Sequence, residues 1–257
     1  MESKLPLFVV SLKNSSRREM MKKKLNGFNY VFFDAIYGKD YPENIEEINK
    51  TYYIKQRYSR LMTAGEYGCA QSHKAIYKIM VEKNIKWAII LEDDVDFKFN
   101  FQEQLIEILD ILSPDNLYLL GCQEGLESFD YVIKSSKDSI IYKKINFFKT
   151  VKSGRYLYRT AGYLISKEVA KNILDFTEDK FCLADDWLVF LKNDLFKNIY
   201  LGDFVKHPVE LEGQSMLEQD RPKKQKFKLL KNLHLYYFLR NCKKYYRILL
   251  FKYLLSK

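Results

Sequence analysis

Short apolar runs alternate with helical stretches over the first 120 residues, and this pattern restricts the fold more than any other feature of the chain. The apolar runs fall at residues 5–12, 30–33, 87–91 and 117–120. Stretches with helical spacing of apolar residues separate them, at residues 17–25, 63–83 and 101–112. Alternation of this kind is typical of parallel strands joined by crossover helices. We therefore predict an α/β fold with a mainly parallel, doubly wound sheet flanked by helices.

The second half of the chain carries a less regular pattern. Residues 140–145 indicate a hairpin, and residues 163–165 indicate a further strand. Ser166 is a good capping residue for a helix over 167–174. A second late helix is predicted over 184–196, because two Asp residues stand at its start.

Basic residues are concentrated at the C-terminal end. The chain has a net charge of +10, yet residues 221–257 contain 12 Lys or Arg and no acidic residue. An enzyme that acts on nucleic acid would more often carry positive charge around its active cleft, so no nucleic-acid partner is expected. We predict a catalytic domain over residues 1–220 and a basic helical tail over residues 221–257.

The tail would be amphipathic as a helix, in the pattern of helices that lie in a membrane interface. Its apolar face would carry Phe238, Leu239, Cys242, Tyr245, Tyr246, Leu249 and Tyr253, and its basic face Arg240, Lys243, Lys244 and Arg247. We predict that it binds an anionic membrane surface. Packing on the protein's own acidic surface, or a dimer interface, is the alternative.

Cysteine usage and hydropathy indicate a protein that stays on the cytoplasmic side. The four Cys residues are far apart and form no C-x-x-C pair, so neither a zinc site nor a disulfide framework is indicated. The first residues lack the pattern of a secretory signal. No apolar run approaches the roughly 20 residues needed to span a bilayer.

Three adjacent carboxylates, at residues 92–94, follow the apolar run 87–91. Ligands of doubly wound sheets bind at the carboxyl ends of strands, where Ser11 and Asp34 also fall. Adjacent carboxylates repel one another unless a cation or hydrogen-bond donors compensate, and Mn²⁺ or Mg²⁺ would do so. A solvated acidic turn is the alternative, but the buried strand before the cluster favours a functional site.

Two blocks of sequence around these carboxylates are specific enough to suggest a family. Residues 61–73 read Leu-Met-Thr-Ala-Gly-Glu-Tyr-Gly-Cys-Ala-Gln-Ser-His, and residues 89–95 read Ile-Ile-Leu-Glu-Asp-Asp-Val. Together they closely resemble the signature of glycosyltransferase family 25, which contains bacterial lipooligosaccharide galactosyltransferases and collagen galactosyltransferases. The resemblance extends over roughly residues 5–216, with matching segments at 9–12, 33–35, 160–166, 207–208 and 214–215.

The resemblance implies a GT-A-like fold, a UDP-sugar donor, usually UDP-galactose, and inverting transfer to a hydroxyl of another sugar. The expected acceptor is a lipid-linked lipooligosaccharide or lipopolysaccharide core, at the cytoplasmic face of a bacterial inner membrane. Arg suits phosphate groups, and a carboxylate could accept hydrogen bonds from uridine. The residues expected to bind the nucleotide sugar are Ser11, Leu12, Arg17, Arg18, Asp34, Glu66, Ser72, His73, Glu92 and Asp93.

The expected metal ligands surround the end of the strand. Asp94 is the first choice, and Glu92 and His207 are further ligands for Mn²⁺ or Mg²⁺. Because Asp94-Val95-Asp96 is also a D-x-D sequence, Asp94 with Asp96 is an alternative pair.

The expected general base is a carboxylate near the start of the second late helix. Inverting transfer needs one base to remove the proton of the acceptor hydroxyl. Asp186, or else Asp185, lies where the family carries an acidic residue. Ordinary helix N-terminal charge is the alternative reading of both.

Two other functions remain open. A two-metal phosphoesterase would use residues 92–94 with His207, although no second strand offers an obvious Asp/His metal motif. A catalytically inactive module that binds a sugar or UDP would keep the fold without transfer.

Overall fold

The computed structural model describes residues 5–51, 60–98, 100–143, 145–207 and 234–255. Within these residues the chain forms one nine-stranded sheet that helices flank. The strands are β1 (Leu7–Ser11), β2 (Tyr30–Asp34), β3 (Trp87–Glu92), β4 (Asp96–Phe97), β5 (Leu117–Gly121), β6 (Lys134–Tyr142), β7 (Ile145–Thr150), β8 (Gly162–Ser166) and β9 (Ile199–Lys206). The helices are α1 (Arg17–Lys24), α2 (Pro42–Lys50), α3 (Ala64–Glu82), α4 (Phe101–Ile108), α5 (Lys167–Phe176), α6 (Trp187–Lys192) and α7 (His234–Leu255).

The sheet runs mainly in one direction. Its strand order is β2-β1-β3-β8-β5-β9-β7-β6, and β4 pairs with β9. β1 is parallel to β2 and β3, and β5 is parallel to β9. β8 lies antiparallel between β3 and β5, so β1, β2, β3, β5 and β9 all point the same way. The predicted α/β fold with a mainly parallel sheet is confirmed, and the reversed β8 is a feature that the sequence pattern did not indicate.

Both faces of the sheet are buried, as a doubly wound fold requires. Side chains of a strand alternate between the two faces. In β1, Leu7 and Val9 join the hydrophobic cluster that includes residues of α1 and α4, whereas Phe8 and Val10 join the cluster that includes residues of α3, α5 and α6. The continuous apolar run of β1 therefore reflects burial on both sides.

Helix α3 begins where the sequence predicts it. The Thr63 hydroxyl accepts a hydrogen bond from the Glu66 N–H at 3.2 Å, and the Glu66 carboxylate accepts one from the Thr63 N–H at 3.0 Å. This capping box satisfies two backbone donors at the helix start. Arg60 forms an ion pair with Glu66 and so extends the cap. The predicted capping box is confirmed.

The second late helix is shorter than predicted. The sequence predicts it over 184–196, but α6 spans only Trp187–Lys192. At its start, the Asp186 carboxylate accepts a hydrogen bond from the Leu183 N–H at 2.8 Å, which favours a turn over a helix there. Beyond its end, Asp194 has a φ of 56°, in the left-handed region that terminates helices. The predicted bounds are wrong at both ends.

Helix α7 packs three of its basic residues, Arg240, Lys244 and Arg247, against the domain. The Arg240 guanidinium donates to the Asp130 carboxylate at 2.9 Å, and Lys244 lies 3.4 Å from the same carboxylate. Arg247 donates to the Tyr131 carbonyl oxygen at 3.0 Å. This is the packing on the protein's own acidic surface that the sequence left as an alternative.

The apolar side of α7 faces away from the domain. Its exposed large side chains are Phe238, Leu239, Tyr245, Tyr246, Leu249 and Leu250. The rest of the predicted tail, including the boundary near residue 220, lies outside the described residues, as do the matching segments from residue 208 onward. None of the helices in the described part of the chain combines the length and the apolar character that crossing a bilayer requires.

Candidate active site

A cavity of about 480 Å³ lies at the carboxyl ends of β1 and β3. Its walls come from residues 10–17 after β1, residues 35–39 after β2, the first half of α3, and residues 92–94 after β3. Eight of the residues predicted to bind the nucleotide sugar or metal line it: Ser11, Leu12, Arg17, Ser72, His73, Glu92, Asp93 and Asp94. The cavity therefore lies where a doubly wound sheet binds its ligands.

Hydrogen-bond donors of the protein itself compensate the negative charge of the buried Asp93 carboxylate. The hydroxyls of Ser11 and Ser15 donate to Asp93 Oδ2 at 2.5 and 3.0 Å. The Arg17 guanidinium donates to Asp93 Oδ1 and to Asp94 Oδ2, both at 3.2 Å. One cation thus bridges two of the three adjacent carboxylates, which lowers the cost of burying them together.

Asp94 retains one oxygen that no described residue satisfies. Its Oδ2 faces Arg17 and lies 3.8 Å from His207 Nε2. Its Oδ1 is buried and has no hydrogen-bond partner among the described residues. A buried carboxylate oxygen without a partner is costly and is the kind of atom that a bound cation would satisfy.

Glu92 faces a different set of partners from its two neighbours. It accepts a hydrogen bond from the Thr160 hydroxyl, and it lies beside Cys69 and His73 at the start of α3. Burial, followed by the negative charge of Asp94, raises the pKa of Glu92 to about 8. The members of the acidic cluster thus have different partners within one cavity.

His73 is held by a chain of buried hydroxyls. Its Nδ1 lies 2.6 Å from the Tyr163 hydroxyl, which lies 2.7 Å from the Tyr77 hydroxyl. The imidazole stacks on the Tyr163 ring, with 5.6 Å between ring centroids. Burial lowers the pKa of His73 to about 3, so the ring is neutral at physiological pH. Its Nε2 has no hydrogen-bond partner among the described residues.

The loop after β2 lies directly on α3. A Cβ at Gly38 would lie 1.8 Å from the Ala64 carbonyl oxygen, and one at Gly68 would lie 2.4 Å from the Ile36 carbonyl oxygen. The Ser72 hydroxyl joins the same two segments, since it donates to the Gly68 carbonyl oxygen and accepts from the Ile36 N–H. Gly38 and Gly68 therefore allow close approach of the two backbones.

Three of the residues predicted to bind the nucleotide sugar lie outside the cavity lining. Arg18 donates to the Ser11 carbonyl oxygen and to Asp34, both at 2.6 Å, so these two side chains engage each other. Glu66 forms the helix cap with Thr63.

Both candidate bases lie near the cavity but do not line it. The Asp185 carboxylate accepts a hydrogen bond from the Arg159 N–H at 2.9 Å, and it is close enough to Glu92 to contribute to the raised pKa of that residue. Asp186 accepts from the Leu183 N–H. His207 lies just outside the lining as well, beside Asp94.

Sequence reasoning missed several polar partners of the site. Ser15, between the apolar run 5–12 and the helical stretch 17–25, was assigned no role in the site, and Thr160 was noted only as part of a matching segment. Cys69 stands inside the block of residues 61–73 but was assigned no role. Tyr163 was placed in a strand without a polar contact, because nothing local reveals the distant His73.

Comparison with known proteins identifies the family of the chain. The chain belongs to glycosyltransferase family 25, whose model, described as an LPS biosynthesis protein, matches residues 4–189. A relative in Haemophilus influenzae is 31% identical over 230 residues, which cover 83% of this chain and 76% of that protein.

Longer relatives share only this part of their sequence. Procollagen galactosyltransferase 1-A of Xenopus laevis is 28% identical over 181 residues, covering 66% of this chain. The match spans 28% of the length of that relative. Among solved structures, a glycosyltransferase involved in glycosylation of the major capsid of PBCV-1 aligns with a TM-score of 0.41 and 9% identity, covering 83% of this chain and 98% of that one.

Proposed function

We propose that this chain transfers galactose from UDP-galactose, with inversion, to a hydroxyl of a lipooligosaccharide or lipopolysaccharide core. The observation that carries the proposal is the buried Asp94 Oδ1, which no described residue satisfies, beside Arg17 in a cavity at the carboxyl edge of the sheet. The descriptions of the family and of its galactosyltransferase relatives support the sugar and the acceptor.

The donor set around Asp94 fits a hard divalent cation. Carboxylate oxygen is the preferred ligand of Mn²⁺ and Mg²⁺, and an imidazole is an acceptable further ligand for Mn²⁺. Asp94 and His207 would hold the ion. Such an ion would neutralise negative charge on the diphosphate as it departs. Glu92 faces Thr160, and Asp96 is exposed and ion-paired with Lys24, so both are weaker candidates than His207.

Arg17 would bind the diphosphate of the donor. Its guanidinium already lies in the cavity, and Arg forms paired hydrogen bonds with phosphate oxygens. Ser11 and Ser15 keep Asp93 satisfied when Arg17 turns towards a ligand, because each donates to Asp93 independently of Arg17.

Inverting transfer needs one carboxylate near the sugar end of the cavity. The acceptor oxygen forms a bond to the anomeric carbon from the face opposite the diphosphate, the bond to the diphosphate oxygen breaks, and the acceptor proton passes to the base. Asp185 is better placed than Asp186 for that role. It lies close to Glu92, whereas Asp186 is engaged by the turn before α6.

Helix α7 supports peripheral association with the membrane that carries the acceptor. Its apolar side chains are exposed, while Arg240 and Arg247 bind the domain. Binding would therefore depend more on the apolar face than on charge. The division into residues 1–220 and 221–257 and the location at the cytoplasmic face of an inner membrane belong to the same proposal.

Asp94→Asn tests the proposed function, with Asp96→Asn as the matched control. The Asp94 variant should lose UDP-galactose turnover and its dependence on Mn²⁺, and should keep the far-ultraviolet circular dichroism of the wild type. The Asp96 variant should retain UDP-galactose turnover and its dependence on Mn²⁺, because Asp96 is exposed and does not line the cavity.

Three results would contradict the proposal. Near-native turnover by Asp94→Asn would remove the metal role from Asp94. Tight UDP binding without transfer of any sugar would indicate a binding module. Hydrolysis of phosphodiesters without an acceptor would indicate a phosphoesterase.

A further inference from the structure

Three polar side chains meet in the cavity away from Arg17. A ring nitrogen of His73, the Cys69 sulfur and a Glu92 carboxylate oxygen all lie within 4.8 Å of one another. All three residues line the cavity. Since Tyr163 engages Nδ1 of His73, Nε2 is the nitrogen left for a ligand.

The hydroxyl chain fixes which nitrogen of His73 carries the proton. Tyr77 and Tyr163 are fully or almost fully buried, and each hydroxyl has one hydrogen to donate. If Tyr77 donates to Tyr163 and Tyr163 donates to Nδ1, every hydrogen in the chain has an acceptor. The opposite direction would leave the Tyr77 hydrogen without an acceptor among the described residues. The favoured tautomer therefore carries its proton on Nε2, a buried nitrogen of a residue that lines the cavity, with no acceptor among the described residues.

Glu92 supplies an acceptor beside this donor. One of its oxygens, Oε1, accepts from the Thr160 hydroxyl. A carboxyl group has about four lone-pair sites, so acceptor capacity remains. Donor and acceptor come from two elements that line the cavity, His73 from α3 and Glu92 from the end of β3.

The chemistry of this pair fits a hydroxyl and does not fit a phosphate. Neither His73 nor Glu92 offers a positive charge, whereas Arg17 offers one to a phosphate in the same cavity. A hydroxyl can accept one hydrogen bond and donate another. Two such bonds of about 2.8 Å at a tetrahedral oxygen place their partners roughly 4.6 Å apart, and the two groups here lie no more than 4.8 Å apart.

We propose that His73 and Glu92 bind one hydroxyl of the nucleotide sugar, with His73 Nε2–H donating to it and Glu92 accepting from it. This inference rests on the proposed function and adds a recognition site to it. The hydroxyl belongs either to the ribose or to the transferred hexose, and both have the same chemistry. A site built to bind a hydroxyl rejects a ligand that lacks it, so this pair would contribute to donor specificity.

The same three residues could also be viewed as zinc ligands, because Cys, His and Glu are a typical set. The hydroxyl chain argues against that view. A metal on Nε2 would require a proton on Nδ1, and Tyr77 would then lose its acceptor. Metal content is therefore measured as a competing outcome.

Two variants of His73 distinguish the contribution of the Nε2–H donor from that of the rest of the imidazole ring. His73→Gln places an amide nitrogen close to the former Nε2, whereas His73→Asn reaches only the former Nδ1. Binding is measured by calorimetry with five groups of ligands: UDP, its 2′-deoxy and 3′-deoxy forms, UDP-galactose, and UDP-galactose analogues lacking single hexose hydroxyls. Circular dichroism and thermal melting establish that both variants fold.

For one hydroxyl of the ligand, the effect of its removal on binding should depend on whether His73 is present. Its removal should weaken binding to the wild type about ten-fold, the loss typical of an unsatisfied buried partner. Its removal should have little effect on His73→Asn, and His73→Gln should keep part of the discrimination. Coupling to a ribose hydroxyl or to a hexose hydroxyl identifies the source.

The inference is overturned if the effects of His73→Asn and of each missing hydroxyl simply add. Zinc bound at one equivalent to the wild type, and lost in both Cys69→Ser and His73→Asn, would assign the cluster to a metal instead. Failure of the wild type to bind UDP or UDP-galactose would refute the proposed function as well. Binding without coupling refutes only the role of His73.

Discussion

Acidification should destabilise the wild type more than His73→Gln. In the folded protein, burial lowers the pKa of His73 to about 3, whereas an unfolded His titrates near 6.5. The unfolded state therefore binds a proton that the folded state rejects. The stability that His73 contributes is fully present above pH 6.5 and is lost progressively as the pH falls towards 3.

The magnitude follows from the two pKa values. At pH 5.0 nearly every unfolded chain carries the His73 proton, and the linkage relation gives a loss of about 2 kcal/mol relative to pH 7.5. The titratable groups that face the ring are Cys69 and Tyr77 on α3, Tyr163 on β8 and Glu92 on β3. Their raised pKa values keep them neutral at pH 5.0, so they do not stabilise an imidazolium.

Urea unfolding at pH 7.5 and at pH 5.0, followed by tryptophan fluorescence, measures this loss. The buried Trp187 packs against Tyr163 and reports on the same region. For each protein, the free energy of unfolding at pH 5.0 is subtracted from that at pH 7.5. Comparing this difference between the wild type and His73→Gln removes the part of the substitution's effect that does not depend on pH. Equal losses in the wild type and in His73→Gln, within about 0.5 kcal/mol, would refute the reasoning, because His73 would then titrate alike in both states.

Three further changes test the scaffold. Gly38→Ala should lower the free energy of unfolding by about 1–3 kcal/mol or more, because its Cβ would meet the Ala64 carbonyl oxygen; an unchanged melting temperature would contradict the close approach. Thr63→Ala should cost about 1 kcal/mol in urea unfolding through loss of the helix cap, and a loss near zero would deny the cap its role. Arg240→Asp should expose α7 to limited proteolysis, and adding Asp130→Arg should restore protection; equal cleavage of both variants would argue against the ion pair.

Local signals in the sequence were sufficient where short-range chemistry decides the structure. The start of α3 follows from Thr63 and Glu66, which lie three residues apart and bond to each other's backbone. The strand before the carboxylates follows from its apolar run. Such features depend on neighbours in the sequence, and the sequence displays those neighbours directly.

Contacts between distant residues account for what the sequence did not reveal. Glu92 and Asp93 are adjacent in sequence, yet one faces Thr160 and the other Arg17, residues 68 and 76 positions away. The antiparallel direction of β8 likewise depends on which strands it joins. Periodicity reports whether a strand is buried, and it does not report its direction.

The tail shows the same division between local pattern and distant contact. Its spacing of apolar and basic residues predicted a helical tail over residues 221–257, and of that range the structure describes the helix α7. Which face meets the domain depends on the acidic residues Glu127 and Asp130, more than a hundred positions earlier. Amphipathicity alone could not choose between a membrane and the protein's own surface.

The contact of Gly38 with the first turn of α3 makes the wall of the cavity mechanically dependent on the helix cap. The Gly38 backbone has no room for even one methyl group beside Ala64, so the loop after β2 cannot shift inwards without displacing the helix. Loosening the cap at Thr63 would therefore be transmitted to the cavity. Substitution of a residue that contacts no ligand would then alter ligand affinity. Affinity changes caused by substitutions at residues 60–66 would measure how rigidly this cavity wall is held.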